Sequence, residues 1–434
     1  MSPKILLINP PVYDFAAYDF WLKPYGLLTV GGLLQGYAEL SFFDYLDRLN
    51  PAVPEDKKLR SDQWGRGEFY SEILPKPAVF DLIPRRYRRF GLPRTIFQTW
   101  LKRQRPFNAA LIQTTMTYWY LGVSEVIEDV RAISPQAKIV LGGAYATICP
   151  EHARLLGADL VIKGSDLEPL WEFMDINPDL GGLPLWQAYE KLETGVLKLT
   201  DGCPFKCSYC SVPQTYPRFA ARPLQRVIAE FELLHNCGVK NIAFYDDALL
   251  FNAEDIVIPF LRYIIQKDAA VNFHTPNALH ARFLNRKLAE LMANAGFKTF
   301  YLGFENIRDD WQKNTGGKVL CEEFAQAVKN LRGAGVEPQH ITAYVIVGHP
   351  HTTAADVESS MRFVNGLGIR IMLAEFSPIP DTPDGRLCAA FVDMNEPLWH
   401  SKTAFPIVSL GNDTMNYLKD LCRELNNRLL PKSP

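Results

Sequence analysis

The sequence predicts an α/β chain in two parts, a doubly wound parallel sheet over residues 1–170 and a β/α barrel, partial or complete, over residues 195–380. Three observations predict it. Short apolar runs alternate with stretches of helical period from residue 109 to 162 and again from 195 to 376, an order that lays strands parallel with helices on their faces. Residues 171–194 carry Pro, Gly and Trp without period and read as a linker. With 434 residues the chain is long enough for two domains, each with its own core.

Taken in order, residues 4–9 (KILLIN) form a first strand and 26–40 a helix, and 41–46 (SFFDYL) read as the next strand. From 50 to 106 Pro, Lys, Asp and Arg become frequent, so this stretch is expected to be an irregular insertion. Its Arg85, Arg86, Arg88 and Arg89, extended by Lys102, Arg103 and Arg105, make a basic run of the kind that can hold phosphates or RNA. In a chain of net charge −2 the plainer expectation is a solvated face, or internal partners for nearby acids. Strands at 109–113, 138–141 and 159–162 then alternate with helices at 123–133 and 151–156. Gly142 and Gly143 directly follow a strand, at the crevice where open sheets bind ligands and where missing side chains let a ligand reach the backbone. A plain turn would use the same pair. The second series places strands at 196–199, 241–245, 271–274, 299–302, 341–347 and 371–376, with an active site expected at their C-terminal ends. Residues 381–434 form an extension.

Composition narrows the partners. A net charge of −2 with 22% charged residues gives no whole-chain attraction to nucleic acid or anionic membrane, so nucleic acid is not an expected partner. No apolar stretch reaches the roughly 18 residues of a spanning helix. The apolar run at the amino terminus has no small-residue cleavage site behind it, so the cytoplasm is the expected location, where the eight cysteines stay reduced.

Clustered cysteines in that setting point to metal. Cys203, Cys207 and Cys210 stand at C-x3-C-x2-C in the loop after the first barrel strand. Iron–sulfur clusters take thiolates, and at this spacing one loop can wrap a cluster. Three thiolates leave one iron of a four-iron cube open to a further ligand. Zinc competes, but it wants a fourth protein ligand and no His or Cys follows closely behind Cys210. The scattered Cys149, Cys237, Cys321, Cys388 and Cys422 read as small buried hydrophobes.

This loop resembles that of the radical S-adenosylmethionine (SAM) superfamily, whose C-x3-C-x2-C motif follows the first strand of a partial (β/α)6 barrel. The resemblance implies a [4Fe-4S] cluster on Cys203, Cys207 and Cys210, with SAM chelating the open iron and being cleaved to a 5′-deoxyadenosyl radical. It also implies SAM or substrate contacts from Asp246 and Asp247 after the second strand, Asn277 after the third and Glu305 after the fourth, with Gly348 offering backbone to the adenine. Tyr209 looks like the aromatic that the family packs near that adenine. A reductant such as a flavodoxin or ferredoxin is the implied partner, with a small molecule or peptide as substrate.

Residues 1–170 resemble the cobalamin (B12)-binding, Rossmann-like domain that precedes this barrel in one subgroup. Asn9-Pro10-Pro11, Gly26-Leu27-Leu28, Leu141-Gly142-Gly143 and the run 159–164 occur in its order, so the resemblance spans about residues 3–380. The pattern departs at the cobalt-ligating histidine: D-x-H-x-x-G would fall near Asp44, where Leu46 and Leu49 stand instead. Cobalamin implies methyl transfer to an unactivated centre. Without it, rearrangement, coupling or oxidation is implied, and a non-catalytic iron–sulfur or corrinoid protein is the reading from another class. A methylthiotransferase would need three further cysteines in the first domain, and only Cys149 precedes the motif.

Overall fold

The structure, a computed structural model, describes residues 2–55, 58–179 and 181–429. The chain forms two compact units, one of residues 1–193 with 236–238 and 395–401, the other of 194–235, 239–394 and 402–434.

The first unit is built on a parallel sheet of β1 (Lys4–Asn9), β2 (Glu39–Asp44), β3 (Ala109–Thr114), β4 (Lys138–Gly143) and β5 (Leu160–Val161) in the order β5-β4-β3-β1-β2. Central β1 buries Ile5, Leu6, Leu7 and Ile8 completely, as a parallel strand covered on both faces must. The order reverses between β1 and β3, which makes the sheet doubly wound as predicted. The second strand lies two residues earlier than expected because Asp44 ends it: its carboxylate accepts from the Leu46 amide and turns the chain.

Two expectations need correction here. The stretch 50–106 is not irregular throughout. Ser71–Leu74 and Tyr87–Phe90 pair antiparallel and add Val12–Asp14 to make a small sheet, and Arg94–Arg103 is a helix that sinks Phe97 and Leu101, one turn apart, into the core. Nor is 171–193 a free linker. It opens on the end of a helix, Glu168–Met174, and then packs on the helix Tyr25–Leu34, so closely that a Cβ on Gly32 would lie 1.8 Å from the Leu183 carbonyl oxygen. The basic run disperses. Arg89 is buried against Glu125 at 2.7 Å, while Arg86, Lys102, Arg103 and Arg105 lie exposed.

The second unit holds six parallel strands in sequential order: β6 (Thr194–Leu197), β7 (Asn241–Phe244), β8 (Asn272–His280), β9 (Phe297–Glu305), β10 (Ile341–Val347) and β11 (Arg370–Glu375). Among the described residues no ladder joins β11 back to β6, so the barrel is partial. Phe231, Phe244, Phe260 and Phe273 are fully or almost fully buried and fill the space between sheet and helices. β8 and β9 run past the expected ends at residues 274 and 302, each through a register break, after Thr275 and after Gly303. The last helix, Asn412–Asn427, covers the edge of β11: the Asn426 side chain accepts from the Ile371 amide at 2.8 Å and donates to its carbonyl at 2.9 Å.

The Arg89–Glu125 pair has both side chains at most 4% exposed, and Glu125 also accepts from the Tyr13 hydroxyl. Arg89→Met leaves a buried carboxylate without its cation and should destabilise the first unit by about 3–5 kcal/mol in denaturant unfolding; adding Glu125→Leu should recover much of that loss.

Candidate functional site

The cysteine loop is tied at its base and pinned on both flanks. At the base, Thr200–Asp201 pairs antiparallel with Ala220–Ala221, so residues 202–219 leave and re-enter at one point. Gly202 has φ +74°, and a Cβ there would come within 2.5 Å of the Arg218 carbonyl oxygen; a glycine before the first cysteine is therefore required. On one flank Phe205 stacks on His280 with centroids 4.3 Å apart and sits edge-on to Phe251. Burial pushes the His280 imidazole down to about 3, so it packs there as a neutral ring. On the other flank Tyr209 stacks on Trp311 at 6.0 Å and hydrogen-bonds the Cys207 thiol, while the Ser208 amide donates to the Thr315 carbonyl.

All three thiols are free and partly shielded. Burial raises the affinity of each for its proton, pushing Cys210 up to about 12, and ligating iron must displace those protons. Lys318 opposes this at Cys207. Its ammonium lies partly buried beside the loop and pairs with Glu305 at 2.7 Å. Glu305 itself has φ +65°, a strained backbone for a residue with a side chain, at the end of β9. Just before Lys318, Gly316 brings bare backbone against the loop: a Cβ there would meet Cys207 Cα at 2.9 Å and its Sγ at 3.1 Å.

The sequence-predicted residues separate by environment. Asp247 lies near Cys203 and Cys210, is held above the usual carboxylate range by burial, and has no hydrogen-bonding partner among the described residues. Asp246 is fully enclosed. One oxygen accepts from the Leu199 amide and from the Thr200 amide and hydroxyl, and the other has no partner among the described residues; burial pushes this acid up to about 6. Asn277 donates to the Asp246 carbonyl at 3.3 Å from an exposed position on β8. Gly348, φ +84°, is fitted against Pro406, whose Cβ would lie 2.5 Å from an added methyl. In the first unit, Gly143 is demanded by the backbone, with φ +114° and the Thr114 carbonyl oxygen 2.1 Å from where its Cβ would be. Gly142 has open space, its nearest neighbour being Ile162 at 3.9 Å. Lys318, His349 and Asp384 escaped the sequence reading. The paired glycines ahead of Lys318 were a usable signal; the other two gave none.

The donor set fits an iron–sulfur cube. A cube takes one thiolate on each of three irons, and Cys203, Cys207 and Cys210, all free and partly shielded, would supply them. For cobalamin the fit is partial. Gly142 leaves room at a strand end, but Leu46 is buried with Val12, Phe69, Phe90 and Trp119, so position 46 brings no nitrogen to cobalt.

Residues 197–364 match the radical SAM superfamily and form a radical SAM domain, the class that uses a [4Fe-4S] cluster and SAM. The chain is 28% identical over 236 residues to an uncharacterized methyltransferase, PH0819, of Pyrococcus horikoshii, a match covering 53% of this chain and 50% of that one. It is 24% identical over 288 residues to the threonylcarbamoyladenosine tRNA methylthiotransferase MtaB of Thermotoga maritima, covering 61% and 65%. The chain thus spans between half and two thirds of these curated relatives. Among solved structures it superposes on the radical SAM methyltransferase TsrM of Kitasatospora setae, with cobalamin and a [4Fe-4S] cluster bound, at a TM-score of 0.66 and 16% identity, covering 97% and 91%. The cobalamin-dependent SAM radical enzyme OxsB, with aqua-cobalamin and SAM bound, gives a TM-score of 0.57 at 12% identity, covering 99% and 63%. These likenesses establish the fold, a Rossmann-like sheet followed by a radical SAM barrel.

Gly316→Val should push the turn between the helices Asp309–Asn314 and Cys321–Gly333 off Cys207. The expected outcome is far-UV circular dichroism like that of the native protein, with iron after anaerobic reconstitution reduced to background; native iron loading would show that the close contact is dispensable.

Proposed function

We propose that this chain is a radical SAM enzyme in which Cys203, Cys207 and Cys210 ligate a [4Fe-4S] cluster and leave its fourth iron open to SAM. The observation that carries the reading is the loop itself: three spaced, free thiols on a segment anchored at its base and both flanks. When bound, the cluster supplies the electron that cleaves SAM to a 5′-deoxyadenosyl radical. The chain's own residues bind and orient. SAM carries an ammonium and a carboxylate, and the loop is flanked by both complementary charges, Asp247 and Glu305 for the former and Lys318 for the latter. Asn277 offers an amide from an exposed position within β8, Gly348 backbone for the adenine, and Tyr209 an aromatic wall. Phe205 with Phe251 and Phe283 packs apolar surface beside the loop, which excludes water that would quench a radical.

A second reading of the first unit is supported by its open Gly142 and by the fold it shares with cobalamin-bound TsrM. In this reading the unit takes cobalamin with no imidazole from position 46, and the enzyme transfers a methyl group. A flavodoxin- or ferredoxin-like donor in the cytoplasm supplies electrons, and the substrate is a small molecule or peptide. No helix among the described residues is long and apolar enough to cross a membrane.

Anaerobically reconstituted protein with SAM and dithionite should form 5′-deoxyadenosine, and replacing Cys203, Cys207 and Cys210 with alanine should abolish both iron binding and that product. A fully loaded cluster that never cleaves SAM would instead make the chain a carrier or sensor. For the corrinoid, protein purified from cobalamin-fed cells should keep a base-off cobalamin spectrum after the cluster is removed; colourless protein would end that branch.

A further inference from the structure

The cysteine loop has a fourth anchor that the proposed chemistry leaves unused. Ser208 lies between two of the three thiols, and Asp384 grips it twice. The Ser208 hydroxyl donates to Asp384 Oδ2 at 2.7 Å, and the Asp384 amide donates to the Ser208 carbonyl at 3.1 Å. The same Oδ2 accepts from His349 Nε2 at 2.7 Å. His349 Nδ1 accepts from the His351 amide at 3.1 Å, which places the ring proton on Nε2 and leaves the imidazole neutral. The trio Ser208, Asp384 and His349 therefore carries one net negative charge.

Its setting is enclosed. His349 is fully buried, edge-on to Phe376 at 4.9 Å and to Trp311 at 5.3 Å. Asp384 opens a short helix whose turn is closed by Thr382 accepting from the Gly385 amide at 2.9 Å, and Gln214 of the loop donates to the Pro380 carbonyl at 2.8 Å. A charge in such surroundings is poorly screened.

We infer that Asp384, held by His349, is a positioning residue that fixes the cysteine loop and lowers the reduction potential of the cluster it carries. Two effects act in the same direction. A carboxylate beside the loop disfavours adding an electron to the cluster, since cluster potentials follow net charge. It also engages the Ser208 hydroxyl, which would otherwise be free to donate to a ligand sulfur and raise the potential. A strongly reducing cluster is what SAM cleavage requires. The inference rests on the cluster assignment proposed above.

The test uses the full-length, reconstituted protein without SAM, titrated against potential and followed by the electron paramagnetic resonance signal of the reduced cluster. Asp384→Asn keeps an acceptor for Ser208 and removes the charge. We expect native iron content and a reduced-to-oxidised ratio raised roughly tenfold at fixed potential, the scale of one poorly screened unit charge. Native iron with an unmoved ratio overturns the inference. Should Asp384→Asn hold no iron, His349 variants carry the test. His349→Phe, which removes the proton that partly neutralises Asp384, should lower the ratio, and His349→Gln, which keeps an N–H donor, should restore it; equal ratios in the two overturn the inference. Absence of iron, or of 5′-deoxyadenosine, from the unmodified protein would instead overturn the cluster assignment itself.

Discussion

The second unit depends on one constraint: three free, partly shielded thiols must be held on residues 203–210, a stretch with no helix or strand of its own. A loop left in water would collapse or exchange its sulfurs, and ordering it costs roughly 1–2 kcal/mol per residue in backbone entropy. That cost is met by contacts reaching across the whole barrel. The short ladder between Thr200 and Ala221 closes the loop, the stack of Phe205 on His280 anchors it toward β8, and Trp311 and Thr315 anchor it toward β9. The strands are thus the frame on which a polar, metal-ready segment is stretched, and the register breaks in β8 and β9 place their last residues at its rim.

The same demand explains where unusual backbone collects. Glu305 and Gly316 both adopt positive φ, one at the end of β9 and the other in the turn after the short helix Asp309–Asn314, where the backbone touches Cys207. Strain at such positions persists only when neighbours over-determine it. Here the Lys318–Glu305 pair does so, joining the end of β9 to the glycine turn. A partly buried cation beside the loop also eases proton loss from Cys203 and Cys207, so one residue serves both the fold and the prospective chemistry.

Much of this was legible in the sequence, for physical reasons that differ by element. The cysteine loop could be read because its chemistry is local: thiol type and spacing suffice. Four of the barrel strands could be placed closely because buried parallel strands are continuous apolar runs. The ends of β8 and β9 could not, since each strand runs on through a register break that no apolar run announces. The helix Arg94–Arg103 was hidden by its charge, with only Phe97 and Leu101 marking its inner face. His349 and Asp384 lay beyond reach altogether, because Asp384 meets Ser208 across 176 positions of sequence and nothing near either residue announces the other.

Asn426 has a consequence for how an unclosed barrel survives in solution. A strand with one free flank is a template on which a second chain can build. The carboxamide of Asn426 presents to Ile371 the same pair of groups, one donor and one acceptor, that a seventh strand would have offered there. A single side chain on a helix therefore impersonates a missing neighbour, and the terminal helix works as a stopper against strand-to-strand association on that side of the sheet.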